Sequence, residues 1–207
     1  MPDTKPDIVV YIPQLLSFLT GFFTAICAEP IRKKIFRPVL AIDFEDNDDY
    51  KALTPEGDSG EPIHKMRKAY YVRAKVTNTK AYEAENCKAY LINIQKLDEN
   101  NILRPTIYCD RIPLAWSCQN IGEQYNGLNI NFKSSQFVDI VTTRENFKQF
   151  FPQIKLSPHR YISIFNETGK FVFTIQVTAS NASPKDINLC FEWNGHWDKF
   201  KIYQYKS

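Results

Sequence analysis

The sequence predicts one membrane-spanning helix followed by an all-β domain that folds as an antiparallel β-sandwich. Two observations lead to this prediction. The first is an apolar run from Ile8 to Ala28 that contains no Asp, Glu, Lys, Arg or His. The second is a series of later segments in which apolar and polar residues alternate between polar turns, without repeated helical crossovers. The expected divisions are an N-terminal tail (1–7), the transmembrane helix (8–28), a basic juxtamembrane segment (29–37) and the sandwich domain (38–207).

The run Ile8–Ala28 has the length of a membrane span. As a helix it would rise roughly 30 Å, which matches the hydrocarbon core of a bilayer. A cleaved signal peptide is the alternative, but such a peptide opens with a basic cluster, whereas this chain opens with Asp3, Lys5 and Asp7. The run also exceeds the usual ~7–15 residues of a signal core and ends without a good Ala-x-Ala cleavage site. A permanent single-pass span is therefore expected.

Basic residues behind the span predict its orientation. They are Arg32, Lys33, Lys34 and Arg37, whereas only Lys5 precedes the span. Because the side richer in Lys and Arg remains in the cytoplasm, we expect the N-terminus outside and the C-terminal domain in the cytosol. The same cluster would lie at headgroup level, where anionic lipids attract each basic side chain by roughly 1 kcal/mol. It is either an anionic-lipid contact or only a topology signal.

Composition limits the classes of function. The chain has 207 residues and a formal net charge of +3, which gives no sign of the field that nucleic-acid binding requires. Cys27 lies inside the predicted span, and the other cysteines are Cys87, Cys109, Cys118 and Cys190. These four would stay reduced in a cytosolic domain and could form two disulfides in an exported one. They show neither C-x-x-C nor zinc-type spacing, so we expect no metal or cofactor.

Strand patterns occupy most of the remaining chain. Pro38–Phe44 is predicted as the first strand, followed by an acidic, solvated loop over 45–62. This loop lacks the glycine and the closing glutamate of an EF-hand calcium site. Alternation is clearest over Ala69–Thr77, and Asn194-Gly195 favours a type I′ hairpin turn near the C-terminus. The other predicted strands are 87–96, 136–143, 170–179, 189–193 and 196–203, with one short helix at 144–151.

A resemblance to known domains agrees with this pattern. Val76–Leu91, with the sequence VTNTKAYEAENCKAYL, resembles the second and third strands of bacterial immunoglobulin-like domains of the CARDB type, although Lys80 stands where they often have glycine. Nearly the whole chain is similar to a group of uncharacterised bacterial membrane-anchored proteins with one N-terminal span and such a sandwich. The shared motifs are P-L-x-W-S at Pro113–Ser117 and W-x-G-x-W-D at Trp193–Asp198. The resemblance implies an immunoglobulin-like sandwich and membrane attachment, and it implies no activity.

The sequence shows no recognisable catalytic motif. Its histidines, His64, His159 and His196, lie outside known motifs. Ser117 lacks the G-x-S-x-G turn of a serine nucleophile, and no glycine-rich phosphate loop occurs. We therefore expect a protein that is not an enzyme. The tryptophans either line a sugar or peptide groove or pack structurally, and they are Trp116, Trp193 and Trp197.

Small residues form one stripe of the predicted span. Ser17, Gly21 and Ala25 recur at every fourth position, and Thr20, Thr24 and Ala28 extend the same helical face. Inside a bilayer, small residues allow two helix backbones to approach closely, and hydroxyl groups add hydrogen bonds. Ser17, Gly21 and Ala25 are therefore candidate contacts for self-association or for lateral association with another membrane protein. The alternative is that the spacing is coincidental.

Two functions remain open at this point. In the favoured one, the protein is a non-catalytic, membrane-anchored interaction module whose cytosolic sandwich docks a protein partner or a membrane complex, for example through an exposed sheet edge. In the other, the topology is reversed and the sandwich binds a carbohydrate or another surface ligand outside the cell, with its cysteines oxidised. The favoured function predicts membrane lipid and a protein as partners, and no nucleic acid.

Overall fold

The computed structural model describes residue 17 and residues 21–22, 37–57, 62, 66–156 and 158–206. Ser17, Gly21 and Phe22 are helical and exposed. The remainder of the predicted span 8–28, including Ala25, lies outside the described residues, as do Arg32, Lys33 and Lys34. Within the described part of the chain, no helix combines the length and the apolarity that a membrane crossing requires.

From Pro38 onward the described residues form one compact unit made of a six-stranded and a seven-stranded sheet, both antiparallel. In chain order the strands are β1 (Leu40–Asp43), β2 (Lys51–Glu56), β3 (Arg67–Asn78), β4 (Ala84–Leu97), β5 (Leu103–Pro105), β6 (Ile112–Pro113), β7 (Ala115–Trp116), β8 (Leu128–Ile130), β9 (Ser135–Arg144), β10 (Phe150–Pro152), β11 (Gly169–Ala179), β12 (Ala182–Trp193) and β13 (Lys201–Gln204). A 3-10 turn (His159–Tyr161) leads into the short helix α1 (Ile162–Asn166).

Long strands form the centre of each sheet, and short strands cover their outer edges. In the first sheet β3 pairs with β9. The other edge of β3 pairs with β1 and then with β2. The other edge of β9 pairs with β7 and then with β10. In the second sheet β4, β11, β12 and β13 are successive neighbours. The other edge of β4 pairs in turn with β8, β6 and β5.

The two sheets face each other across one core because alternate residues of each strand point inward. On β3 the inward side chains of Val72, Ala74 and Val76 are completely buried. The ring of Phe150 on β10 lies amid other buried aromatic rings. Its neighbours, at centroid distances of 5.3–6.1 Å, are Phe165, Phe171, Phe173, Phe191 and Trp193.

The predicted all-β, antiparallel architecture is confirmed, and its longest strands fall where the alternation predicted them. The acidic segment 45–62 differs from the prediction, because Lys51–Glu56 within it forms β2 and pairs along β3. Its carboxylates do not prevent pairing there, since Glu56 is neutralised by Arg144, whose Nε lies 2.6 Å from its Oε2.

Two further predictions are wrong. The predicted helix at 144–151 is a turn followed by β10, because Asn146 has a positive φ of 71° and Phe150–Pro152 pairs with β9. The predicted hairpin at Asn194-Gly195 is a longer connection, since β13 begins only at Lys201. In this connection Trp197 and Phe200 pack on the ring of Tyr70, each at 5.7 Å between centroids. These aromatic contacts outweigh the local turn signal.

Candidate interaction site

An open groove lies beside the turn that joins β4 to β5, and we call it the β5 groove. It is formed by the end of β4, by β5 and the loop that follows, and by helix α1. The residues that define it are Lys96, Arg104, Pro105, Ile107, Ser163 and Glu167. A shallower depression around Asp98, Glu99 and Asn100 continues from it across the turn and shares Lys96 and Arg104.

Asp98 organises the turn between β4 and β5. Its Oδ1 accepts hydrogen bonds from the backbone N–H groups of Asn100 (2.9 Å) and Ile102 (2.8 Å), and its Oδ2 accepts one from Arg104 Nε (3.0 Å). The pKa of Asp98 is lowered, first by the bond from Ile102 and then by Arg104. The turn therefore holds Arg104 in place while 62% of its side chain stays exposed.

The groove has an apolar floor and a rim of paired charges. Phe171 and Ile164 at its base are buried. Above them Lys96 forms an ion pair with Glu167, and its Nζ lies 5.5 Å from the centroid of the Phe171 ring. The Lys96 side chain passes close to Gly169, whose φ is +140°. A Cβ at Gly169 would lie 3.0 Å from Lys96 Cε. The rim thus keeps little net charge with which to hold a small ion.

A buried tyrosine fixes the loop after β5 to the segment before α1. The Tyr161 hydroxyl donates to Asp110 Oδ2 at 2.7 Å, and Arg160 forms an ion pair with the same carboxylate. The Tyr161 hydroxyl lowers the pKa of Asp110, and Arg160 lowers it further. The ring of Tyr108 lies 4.7 Å from that of Tyr161, and its hydroxyl donates to the Leu91 carbonyl at 3.0 Å.

This locked arrangement presents apolar side chains to solvent. Ile107 is 59% exposed beside the groove, and Ile162 at the start of α1 is 42% exposed. Two guanidinium groups nearby are stacked on tyrosines: Arg160 Cζ lies 4.8 Å from the Tyr161 ring centroid and Arg111 Cζ 4.1 Å from that of Tyr90. Arginine and exposed apolar residues on a rigid frame are a combination typical of the core of a protein–protein interface.

A second polar cluster covers the outer face of the first sheet, and its groups are paired with one another. Glu56 Oε1 accepts hydrogen bonds from the hydroxyl of Tyr71 (3.1 Å) and from Arg144 Nη2 (2.8 Å). Burial raises the pKa of Tyr71 to about 12, with a smaller contribution from Glu56. This cluster ties β2, β3 and β9 together and leaves no charged group directed towards a ligand among the residues named.

Ser117 and Asp139 lie on the same face. Asp139 Oδ1 accepts hydrogen bonds from Ser117 Oγ at 2.6 Å and from Arg73 Nε at 3.1 Å. Burial raises the pKa of Asp139 despite these two donors. Burial also raises the pKa of the neighbouring Cys118 thiol, which favours the less reactive protonated form. The hydroxyl and the carboxylate thus hold β9 to the segment after β7.

The structure places only some of the residues that the sequence singled out. Among the proposed helix contacts, Ser17 and Gly21 are described, and a Cβ added to Gly21 would meet nothing within 4 Å. Of the basic cluster only Arg37 is described, and it is exposed. Trp116 and Trp193 are buried in the core, and Trp197 packs on Tyr70, which favours structural packing over ligand stacking. The free cysteines among the described residues are Cys87, Cys109, Cys118 and Cys190.

Sequence reasoning missed the β5 groove. Ser163 lies far along the chain from Lys96 and Arg104, and the three residues meet only through the pairing of β4 with β5 and the docking of α1. The one available signal was an isoleucine in a polar, proline-containing segment, at Ile107. The chain matches no protein-family model and no curated protein.

Proposed function

We propose that the protein is a non-catalytic, membrane-anchored interaction module that binds a protein partner through the β5 groove. The span Ile8–Ala28 holds it in the membrane with the N-terminus outside and the sandwich in the cytoplasm. The observation that carries partner binding is the exposure of Ile107 and Ile162 on segments that the Tyr161–Asp110–Arg160 contacts hold rigid.

Preorganisation favours a protein as the ligand. Burying the exposed part of an isoleucine contributes roughly 25 cal/mol per Å² of apolar surface. The loop that carries Ile107 is already fixed by Tyr161, so its ordering adds little to the cost of association. The rim of the groove pairs Lys96 with Glu167 and Arg104 with Asp98, so the groove suits an extended polypeptide surface better than a small charged molecule.

A groove explains docking better than a free sheet edge. β2 contains Pro55, and β13 is only four residues long. No described strand pairs with the outer edge of β12 between Ala182 and Ile187, but Pro184 and Lys185 lie in that stretch. Proline lacks the N–H that an added strand needs, and lysine discourages edge pairing. These edges are therefore poor templates for strand addition.

The proposal also assigns roles to the residues in and beside the membrane, and a class to the sandwich. Arg32, Lys33, Lys34 and Arg37 contact anionic headgroups, and the stripe Ser17, Gly21 and Ala25 supports lateral association of the span. We class the sandwich as immunoglobulin-like. Its two antiparallel sheets and the resemblance of Val76–Leu91 to CARDB-type strands support that class.

Site-specific photocrosslinking in native membranes tests the groove. Full-length protein with benzoylphenylalanine in place of Ile107 should give a discrete protein adduct, and the additional substitution Arg104→Glu should remove most of it. The control position is Leu53 on β2, which is 53% exposed and lies in the other sheet. A crosslink of equal yield and identity from positions 53 and 107, or one unaffected by Arg104→Glu, would reject the groove as the docking site.

A further inference from the structure

One end of the sandwich is organised around a buried asparagine, Asn78. Its Nδ2 donates hydrogen bonds to the carbonyls of Tyr82 and Ile130, and its Oδ1 accepts one from the backbone of Lys80 at 3.2 Å. The Asn78 carbonyl accepts a bond from the Lys133 N–H at 2.9 Å. Two loops, 79–83 and 131–134, are thereby held together, and we call this the Asn78 end.

The chain enters the sandwich at the same end. Leu40 pairs with Asn78, and the N–H of Thr79 donates to the Val39 carbonyl at 2.9 Å. The β5 groove lies towards the opposite end, where Leu97 pairs with Lys170 and Gly169 pairs with Trp193. The two ends are thus clearly distinguished within the sandwich.

Three exposed apolar side chains lie at the Asn78 end. Tyr82 is 46% exposed, Phe132 43% and Val39 36%, although Phe and Val are among the residue types most often buried. Lys133 has a positive φ of 59°, and its Nζ lies 5.1 Å from the centroid of the Phe132 ring. Aromatic rings flanked by lysine are typical of surfaces that contact the interface between lipid and water.

Charge at this end also favours an anionic surface. Lys80 and Lys133 are exposed there. Glu83 and Glu85 are the nearby carboxylates, at the start of β4, and the backbone at both positions is bonded to the side chain of Asn181. These two carboxylates balance Lys80 and Lys133, and the sequence immediately before the sandwich adds four further basic residues, Arg32, Lys33, Lys34 and Arg37.

We propose that the Asn78 end rests on an anionic membrane surface, with Tyr82 and Phe132 at headgroup level and Lys80 and Lys133 beside lipid phosphates. This inference rests on the proposed membrane anchor. Even fully extended, the chain between Ala28 and Pro38 spans at most roughly 35 Å, which keeps this end within reach of the bilayer. Docking in this way directs the β5 groove away from the lipid, so that a protein partner has access to the groove.

Depth-dependent fluorescence quenching tests the proposal with the full chain in bilayer nanodiscs. Cys27, Cys109 and Cys118 are first replaced by serine, and an environment-sensitive dye is attached at Phe132→Cys. With phosphatidylserine in the disc, nitroxide-labelled lipid should quench this dye strongly. A dye at Ile102→Cys, in the turn between β4 and β5, is the control and should be quenched much less. Equal quenching at the two positions, or none at position 132, would overturn the proposal.

A charge-removal pair tests the role of the lysines. Lys80→Gln with Lys133→Gln should lower the ratio of docked to undocked protein by about twenty-five-fold, because each basic side chain adds about a fivefold preference near an anionic surface. Lys148→Gln with Lys155→Gln, at exposed positions outside this end, is the matched control and should change nothing. Equal quenching in discs of phosphatidylcholine alone would overturn the preference for anionic lipid.

Flotation with carbonate-washed liposomes distinguishes failure of the membrane anchor from failure of the docked orientation. A chain that stays with the liposomes but shows no quenching at position 132 retains its anchor and loses the docked orientation. A chain that leaves the liposomes loses the anchor, and the docked orientation fails with it.

Discussion

At the scale of single residues, Asp110 determines how the loop carrying Ile107 is held. Its pKa lies below the usual range, first because the Tyr161 hydroxyl donates a hydrogen bond to it and next because of Arg160. A carboxyl group with a lowered folded-state pKa stabilises the fold above its unfolded-state pKa. That contribution is lost as the pH falls through the folded-state pKa.

Tyr161→Phe removes the larger of these causes. We expect the pKa of Asp110 to rise towards its usual value, and the stabilisation that Asp110 supplies at neutral pH to shrink. An NMR titration of the Asp110 side-chain carboxyl carbon measures the first effect. Tyr108→Phe is the control, because the Tyr108 hydroxyl donates to the Leu91 carbonyl and not to a carboxylate. An unchanged pKa of Asp110 in Tyr161→Phe would contradict the bond between the two side chains.

Phe150 is the residue on which the core depends most visibly. Its side chain is completely buried and contacts aromatic rings from α1, β11 and β12. Phe150→Ala should lower the free energy of unfolding by about 3–5 kcal/mol, since it removes apolar contacts and leaves a cavity. Denaturant unfolding followed by tryptophan fluorescence measures the loss. Leu53→Ala, at an exposed position, should cost less than about 0.5 kcal/mol, and similar losses in both variants would refute the central role of Phe150.

At the scale of elements, the sequence predicts best where one face of a strand is buried. Ala69–Thr77 was recognised because its apolar residues alternate, and it lies within β3. β2 was missed because its segment is rich in carboxylates, proline and glycine. Its acidic end is compatible with a strand because Glu56 forms an ion pair with Arg144 and accepts a hydrogen bond from Tyr71. The β5 groove was missed because its residues converge through tertiary pairing, which no local pattern encodes.

Gly169 is the first residue of β11, and its backbone conformation is one that suits glycine. Gly169→Ala should destabilise the protein, because alanine is strained at a φ of +140° and its Cβ would lie 3.0 Å from Lys96 Cε. Gly122→Ala is the matched control, since Gly122 has a φ of +97° but nothing within 4 Å of an added Cβ. A larger loss of unfolding free energy in Gly169→Ala than in Gly122→Ala is the expected result. Equal losses would mean that backbone strain alone is at work.

At the scale of the whole molecule, the proposed orientation can be tested with the protein's own thiols. Cys109 and Cys118 are free and exposed. A membrane-impermeant maleimide should therefore label them in permeabilised cells and leave them unlabelled in intact cells, if the sandwich is cytoplasmic. Labelling at pH 8 or above compensates for the raised pKa of Cys118. Strong labelling of intact cells would reverse the topology and favour an outward-facing sandwich that binds a carbohydrate or another surface ligand.

The proposed span offers the sharpest test of association at the same scale. Gly21→Leu should weaken association of the full-length protein with itself or with a membrane partner, because a bulky side chain separates two backbones at their closest approach. A Cβ at position 21 would meet nothing within 4 Å, so an effect of the substitution would report on contact with another helix.

Phe22→Leu lies about one hundred degrees around the helix and serves as the control. Both variants should still insert, because leucine favours the bilayer centre. Energy transfer between labelled chains in membranes measures the association, and equal transfer in the wild type and both variants would mean that the small stripe is coincidental and the span only a tether.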